Sequence, residues 1–132
     1  MLRRRLKRGI RVWDQAEQIW LILIAVAMLE KQTGKKTITY GDLAERLGYD
    51  RKAGITLARA LDLIGRMCLK SGCPPLNVIV VAQHGAPGAE VILRSGSTVE
   101  ADQRDVLKED WITWRAPSAG SFRMLYQEIN QK

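Results

Sequence analysis

The chain offers few residues for nucleophilic or general-base chemistry. His84 is its single histidine, and Cys68 and Cys73 are its two cysteines. One histidine removes most proton-relay schemes that activate a nucleophile, and these three residues do not make a four-ligand zinc set. The sequence also contains no GxxxxGK[ST] phosphate-binding loop. We therefore predict that the protein is not an enzyme and that it carries no metal ion or other cofactor.

Positive charge is concentrated at the start of the chain. The net charge is +7, and residues 1–11 contain no acidic residue but six basic ones: Arg3, Arg4, Arg5, Lys7, Arg8 and Arg11. The rest of the chain is nearly neutral, with 15 basic and 14 acidic residues. Such a basic arm suits a polyanion, most often nucleic acid. A solvated terminus without a ligand is the alternative interpretation.

An apolar stretch follows the arm. Residues 19–29 are eleven consecutive apolar residues inside a predicted helix over residues 12–32. A membrane span takes about 20 such residues, and no signal-peptide cleavage site follows, so we expect no membrane association. With only two cysteines, we expect a cytoplasmic protein.

This apolar helix needs cover on more than one side, either from its own domain or from a second subunit. Leu21, Ile22 and Met28 lie off its main apolar stripe. We predict that these three residues form an interface with a protein partner or in a homodimer.

Residues 39–76 have the pattern of a helix-turn-helix. Thr39 is a good N-cap for a short helix, which Gly48 is placed to end in the left-handed conformation. Asp50 can cap a longer helix, which stops at residues 72–75 with their glycine and two prolines. Two helices across a short turn are typical of this motif. An ordinary helical hairpin in a core is the alternative.

A β-hairpin is predicted next. Residues 76–81 are strand-like, residues 83–88 form a turn, and residues 89–94 return as a second strand. Residues 37–38 could add a short strand to this sheet. Ser97, with Glu100 three residues later, predicts the cap of another helix, and Ser118 begins the last one.

The predicted fold class is therefore mostly α with a small β-hairpin. The order of the elements is that of a winged helix-turn-helix with extra N- and C-terminal helices. We expect a basic arm over residues 1–11 and a single winged-helix domain over residues 12–132.

Several short motifs match a known family in the same order. They are the Thr39-Tyr40-Gly41 stretch with Leu43-Ala44 and Leu47-Gly48, the helix glycine Gly65, the Pro74-Pro75 exit and the glycines Gly85 and Gly88. Over roughly residues 13–110 the chain resembles the C-terminal winged-helix domain of alkylguanine-DNA alkyltransferases and their inactive alkyltransferase-like relatives. The resemblance implies a DNA-binding scaffold.

The same comparison argues against alkyl transfer. Ile79 falls about where that family has its nucleophilic cysteine, and isoleucine cannot accept an alkyl group. Cys68 and Cys73 lie on the preceding helix and loop. The arginine that the family inserts into the base stack falls near Asp62, with Arg59 one turn away. The resemblance therefore implies the scaffold without the reaction.

Two functions are consistent with this pattern. In the first, the protein is a non-enzymatic winged-helix regulator that binds double-stranded DNA. The longer helix would enter the major groove by its N-terminal part, and the arm would lie along the phosphates. The predicted contacts on the helix, three of them at helical spacing, are Arg51, Lys52, Thr56 and Arg59.

The second function is a protein-interaction module or inhibitor that docks on a larger protein machine, of the kind found in phages and mobile elements. The apolar stretch of residues 19–29 and the tryptophans Trp111 and Trp114 favour it, because aromatic side chains anchor such interfaces.

Overall fold

The structure is a computed structural model that describes residues 10–88 and 91–131. Within these residues the chain forms five α-helices and two short strands: α1 (Val12–Met28), β1 (Ile38–Thr39), α2 (Tyr40–Arg46), α3 (Ala58–Ser71), β2 (Val80–Val81), α4 (Val99–Lys108) and α5 (Ala119–Ile129). Four 3₁₀ segments connect them: Glu30–Thr33, Arg51–Leu57, Leu76–Ile79 and Trp111–Thr113. The predicted class, mostly α with a small β component, is confirmed.

Helix α1 is the centre of the fold. It packs against α3 and α5 and also contacts α2, α4 and the 3₁₀ segment Leu76–Ile79. The ring of Trp20 meets the edge of Trp111 at 6.0 Å between centroids and lies 6.1 Å from Phe122. The rest of the domain therefore supplies the cover that this apolar helix requires.

The residues predicted as a partner interface on α1 do not share one exposed face. Leu21 is 55% exposed. Ile22 and Met28 are half-buried and pack against the core. No helix within the described residues is long and apolar enough to cross a membrane.

The predicted caps of the helix-turn-helix region are present. The Thr39 hydroxyl accepts a hydrogen bond from the Asp42 backbone N–H at 3.1 Å, and the Asp50 carboxylate accepts one from the Lys52 N–H at 2.8 Å. Gly48 has a φ of 89° and ends the turn after α2, a conformation that glycine adopts without strain. The boundaries of the short helix therefore follow from local sequence.

The longer helix differs from the prediction, since it begins as the 3₁₀ segment Arg51–Leu57 and becomes α-helical only at Ala58. Gly54 packs tightly on α2: a Cβ at this position would lie 2.7 Å from the backbone carbonyl of Tyr40. A 3₁₀ helix has three residues per turn, so Lys52 aligns with Ile55 and not with Thr56. The four-residue spacing of Lys52 and Thr56 therefore does not place them on one face.

The predicted β-hairpin is wrong in form. Strand β2 pairs in parallel with β1, with Ile38 opposite Val80 and Thr39 opposite Val81. The turn that follows β2 is closed by one antiparallel bridge between Val81 and Pro87, and proline has no N–H to extend the ladder. Residues 91–94 form no strand, and residues 89–90 lie outside the described residues. The predicted short strand near Ile38 is thus the actual partner of β2.

The segment after the turn is held to α4 instead of to a strand. The buried Asp102 carboxylate accepts hydrogen bonds from the Arg94 backbone N–H at 3.0 Å, from Arg94 Nε at 2.8 Å and from the Ser97 hydroxyl at 2.6 Å. Thr98, not Ser97, caps α4 by accepting from the Ala101 N–H at 3.1 Å. Because Asp102 takes the Arg94 N–H, that group is not available to a strand partner. We call Arg94, Ser97 and Asp102 the loop clamp.

The loop clamp also determines the charge state of Asp102. Burial alone would raise the pKa of this carboxyl, but the hydrogen bonds from Ser97 and from the backbone and side chain of Arg94 outweigh burial and hold the pKa below its ordinary value. The carboxylate is therefore charged at neutral pH although Asp102 is 0% exposed.

Replacing Asp102 by alanine should lower the free energy of unfolding by about 2–4 kcal/mol, because Arg94 and Ser97 lose a buried charged acceptor. Asp105→Ala should cost less than about 1 kcal/mol, because Asp105 is a partly exposed partner of the same arginine. Urea denaturation measures both values. Equal losses for the two variants at neutral pH would contradict the loop clamp.

The Asp102 contribution should also depend on pH. Its folded-state pKa lies below the unfolded value, so the stabilisation is present above the ordinary pKa of aspartate and is lost as pH falls through the folded-state pKa. The difference in stability between wild type and Asp102→Ala, measured by urea denaturation from neutral to acidic pH, should shrink on the acidic side.

Candidate nucleic-acid interface

Arg51, a predicted DNA contact, is neutralised within the domain. Its guanidinium forms ion pairs with Asp42 and with Glu45, the latter at 2.7 Å. The hydrogen bond from Arg51 lowers the pKa of Asp42, and the same pairing raises the pKa of Arg51. A polyanion that approached Arg51 would therefore also meet two carboxylates, whose negative charge offsets the charge of the arginine.

Lys52 and Thr56 are exposed, but they offer different chemistry. The Thr56 hydroxyl donates to the Ala53 carbonyl at 2.6 Å, which directs its proton back to the chain. Among the described residues Lys52 forms no ion pair. Ile55, 81% exposed, lies between them in the sequence. Lys52 is thus the main free cation of the 3₁₀ segment.

Arg59, the fourth predicted contact on this helix, is held by α5. Its guanidinium carbon lies 5.7 Å from the centroid of the Tyr126 ring, and its Nη2 donates a hydrogen bond to the Tyr126 hydroxyl. Stacking on an aromatic face holds a guanidinium by cation–π attraction and leaves N–H groups at its edge. Arg59 is exposed at the surface.

Tyr126 also packs against Trp13, and two further arginines lie over the Trp13 ring. The ring centroids of Trp13 and Tyr126 are 5.5 Å apart. The guanidinium carbons of Arg11 and Arg123 lie 5.9 Å and 5.6 Å from the Trp13 centroid. Three arginines from three parts of the chain thus meet on two neighbouring rings. We call these five residues the arginine–aromatic cluster.

The cluster arginines differ in their partners from four other arginines of the described residues. Arg46, Arg51, Arg66 and Arg94 each form an ion pair with a carboxylate. Over residues 10–88 and 91–131, no ion pair involves the three cluster arginines. All three are exposed. Arg104 and Arg115 also form no ion pair among the described residues, but neither lies against an aromatic ring there. The cluster is therefore a surface on which positive charge is concentrated and not neutralised by neighbours.

The basic arm joins the fold at this cluster. Arg11 belongs to the arm and also stacks on Trp13, directly before α1. The other predicted arm contacts, Arg3, Arg4, Arg5, Lys7 and Arg8, lie outside the described residues. Chain continuity alone places them within a few residues of Arg11.

Trp13, Arg123 and Tyr126 were not among the sequence-predicted site residues. Trp13 lies more than 100 residues before Arg123 and Tyr126 in the chain, and no local pattern links them. One sequence feature could have pointed to Arg123. Within residues 119–129 the only charged residues are Arg123 and Glu128, so no acidic residue of this segment lies near Arg123 at its start. Locating the partner ring on α1 requires the packing of α1 against α5.

The residues considered for chemistry do not assemble into a reactive site. His84 is exposed in the turn after β2. Cys68 and Cys73 are free and buried. Burial raises the pKa of the Cys68 thiol, whereas the hydrogen bond with Cys68 lowers the pKa of the Cys73 thiol. Ile79 is completely buried. Among the described residues there is no group of three or more His, Cys, Asp or Glu side chains that could hold a metal ion.

Comparison with known proteins gives no relative: the chain matches no protein-family model, no curated protein and no solved structure. The likeness to the alkyltransferase winged helix therefore stays a prediction from the quoted motifs.

We expect no transfer of an alkyl group from an alkylated guanine in duplex DNA to the protein. Ile79 has no nucleophilic atom, and both thiols are buried. Incubation with a duplex labelled in the alkyl group, followed by measurement of label on the protein, tests this. Label that reaches the wild type but not Cys68→Ser or Cys73→Ser would contradict the expectation. Titration of two reactive thiols in urea is the control for the integrity of both cysteines.

Proposed function

We propose that this protein is a non-enzymatic, cytoplasmic DNA-binding regulator that holds double-stranded DNA through its basic arm and the adjacent arginine–aromatic cluster. The observation that carries the proposal is the position of Arg11. It is the last cation of the arm and, on Trp13, the first of the cluster, so the two positive regions are continuous. Arginines without carboxylate partners suit phosphate oxygens, which accept their N–H groups bidentately.

Lys52, in the 3₁₀ segment seven residues before Arg59, is a further exposed cation of the helix-turn-helix region. It is exposed and forms no ion pair within the described part of the chain, whereas its neighbour Arg51 is paired with Asp42 and Glu45. Of the four helix positions predicted to contact DNA, Lys52 and Arg59 therefore support the proposal most directly. The helix-turn-helix is part of the same proposal, with only a reduced wing, since the turn after β2 has one antiparallel bridge and residues 91–94 form no second strand.

A protein-interaction module, including a homodimer, is the second candidate. It is favoured by the exposed apolar side chains of Leu21, Leu29, Ile55, Ile112 and Met124. None of these residues is a tryptophan, tyrosine or arginine, the side chains that anchor strong protein interfaces most often. Single exposed apolar residues are common on soluble surfaces. We therefore place DNA binding first.

Removal of the arm should weaken binding to all duplexes alike. Deleting residues 2–9 removes five cations but keeps Arg11 and the cluster. Each phosphate neutralised contributes about 0.9 to the slope of log K against log salt, so the slope should flatten by at most about 4.5. Fluorescence anisotropy with a labelled duplex across a salt series measures this change.

A length-matched variant provides the control. Substitution of Arg3, Arg4, Arg5, Lys7 and Arg8 by glutamine keeps the chain length and should reproduce the deletion. If wild type binds duplex DNA no better than a neutral protein at low salt, the DNA proposal is wrong and the protein-interaction candidate replaces it. Sedimentation at high protein concentration then tests the homodimer directly.

A further inference from the structure

We infer that the arginine–aromatic cluster binds the phosphates of duplex DNA independently of base sequence, because the side chains of the helix-turn-helix region that could read base edges are already engaged. This inference rests on the proposed function and specifies how the DNA is held. It replaces the expectation that the longer helix reads base edges.

The first argument is that two exposed cations of α3 are already engaged by α5. The Tyr126 hydroxyl accepts a hydrogen bond from Arg59 at the start of α3, and Lys70 near its end pairs with Glu128 at 3.0 Å. Both side chains stay exposed, but part of their hydrogen-bonding capacity is used within the domain. A cleft of about 290 Å³ between the two helices is lined by Ala58, Arg59, Asp62, Leu63, Tyr126, Ile129 and Asn130.

Arg66, another exposed arginine of α3, is engaged by a carboxylate. It pairs with Asp62 on its own helix at 2.9 Å. A guanidinium that holds a carboxylate has fewer N–H groups left for a guanine edge, where specific contacts are bidentate. The α-helical part of the motif is therefore poorly equipped to read base edges.

The 3₁₀ segment before α3 extends beyond α5, but it offers few donors to base edges. Arg51 is occupied by two carboxylates, and the Thr56 hydroxyl donates to a backbone carbonyl. Ile55 is exposed and apolar. Lys52 remains, and a single lysine provides little base discrimination, because sequence is read mainly by bidentate contacts. The tip of the motif is therefore poorly equipped for sequence reading.

The cluster, in contrast, is equipped for phosphates. Each of its guanidinium groups lies near an aromatic ring, which restricts its rotamers before any ligand arrives and reduces the entropy lost on binding. Contacts between arginine and phosphate carry no base information. A surface built from Arg11, Arg59 and Arg123 therefore supplies affinity and orientation without sequence preference.

Arg123 distinguishes this mode from groove reading. It lies on α5, outside the helix-turn-helix motif, and stacks on Trp13. A protein that reads base edges with α3 would keep its preference among duplexes when Arg123 is replaced, because phosphate contacts carry no base information. A protein that follows the phosphates with the cluster loses one ionic contact when it is replaced.

The experiment compares Arg123→Ala with Arg66→Ala in the full-length chain. Both remove one exposed arginine, but Arg66 is paired with Asp62 at 2.9 Å and lies outside the cluster. Binding is measured by fluorescence anisotropy on duplexes of one length with AT-rich, GC-rich and mixed sequences, over a salt series. Thermal unfolding of each variant checks that the fold is retained.

For Arg123→Ala we expect the salt slope to fall by about 0.9 and the affinity at 0.1 M salt to fall about eightfold on every duplex. Arg66→Ala should stay within about twofold of wild type, as expected for an arginine that makes no phosphate contact. Arg123→Lys should keep the salt slope, because lysine keeps the charge. It should lose part of the affinity, because lysine lacks the planar guanidinium that stacks on Trp13.

Three results would overturn the inference. Wild type that binds DNA with a strong preference for one duplex, unaffected by Arg123→Ala, would leave DNA binding standing but assign it to groove reading. An equal loss for Arg123→Ala and Arg66→Ala would indicate a general charge effect and no specific role for the cluster. Absence of binding to every duplex would remove the proposed function together with the inference.

Discussion

The burial of α1 is the constraint on which the other elements depend. An apolar helix of this kind is stable in water only when neighbours cover most of its circumference. Helices α3 and α5 provide most of that cover, with smaller contributions from α2, α4 and the 3₁₀ segment Leu76–Ile79. Because α3 and α5 both pack on α1, they also contact each other. The cluster and the contacts of Arg59 and Lys70 with α5 are consequences of this arrangement.

Local physics made much of the fold predictable from sequence. Side chains that cap helices act on backbone N–H groups two or three residues away, so Thr39, Asp50 and Ser118 could be identified without tertiary information. Features that depend on distant contacts were missed. The N–H of Arg94 is used by Asp102 on a helix, and Gly54 is in close contact with Tyr40. Neither contact can be recognised from the hydrophobic pattern. The predictions of a second hairpin strand over residues 89–94 and of an α-helix starting after Asp50 were therefore both wrong.

The candidate site follows the same division. The arm and Arg59 could be found from composition and helical spacing, because each belongs to one continuous segment. The remaining members of the cluster could not, since Trp13 and Tyr126 come from opposite ends of the chain and meet only when α5 packs on α1. The pairing of Arg51 was equally hidden: its carboxylate partners lie six and nine residues earlier, on a different helix.

The near-neutral net charge of residues 12–132 is only a weak argument against DNA binding. A polyanion responds to the local field, which depends on where opposite charges sit and is screened within about 10 Å at 0.1 M salt. Many carboxylates of the described residues are already held close to cations: Glu30, Asp42, Glu45, Asp62, Asp102, Asp105 and Glu128. Arg11, Arg59 and Arg123 are outside these pairs. Pairing therefore takes seven of the 13 acidic side chains of the described residues out of competition, while the three cluster arginines keep their charge where the arm begins.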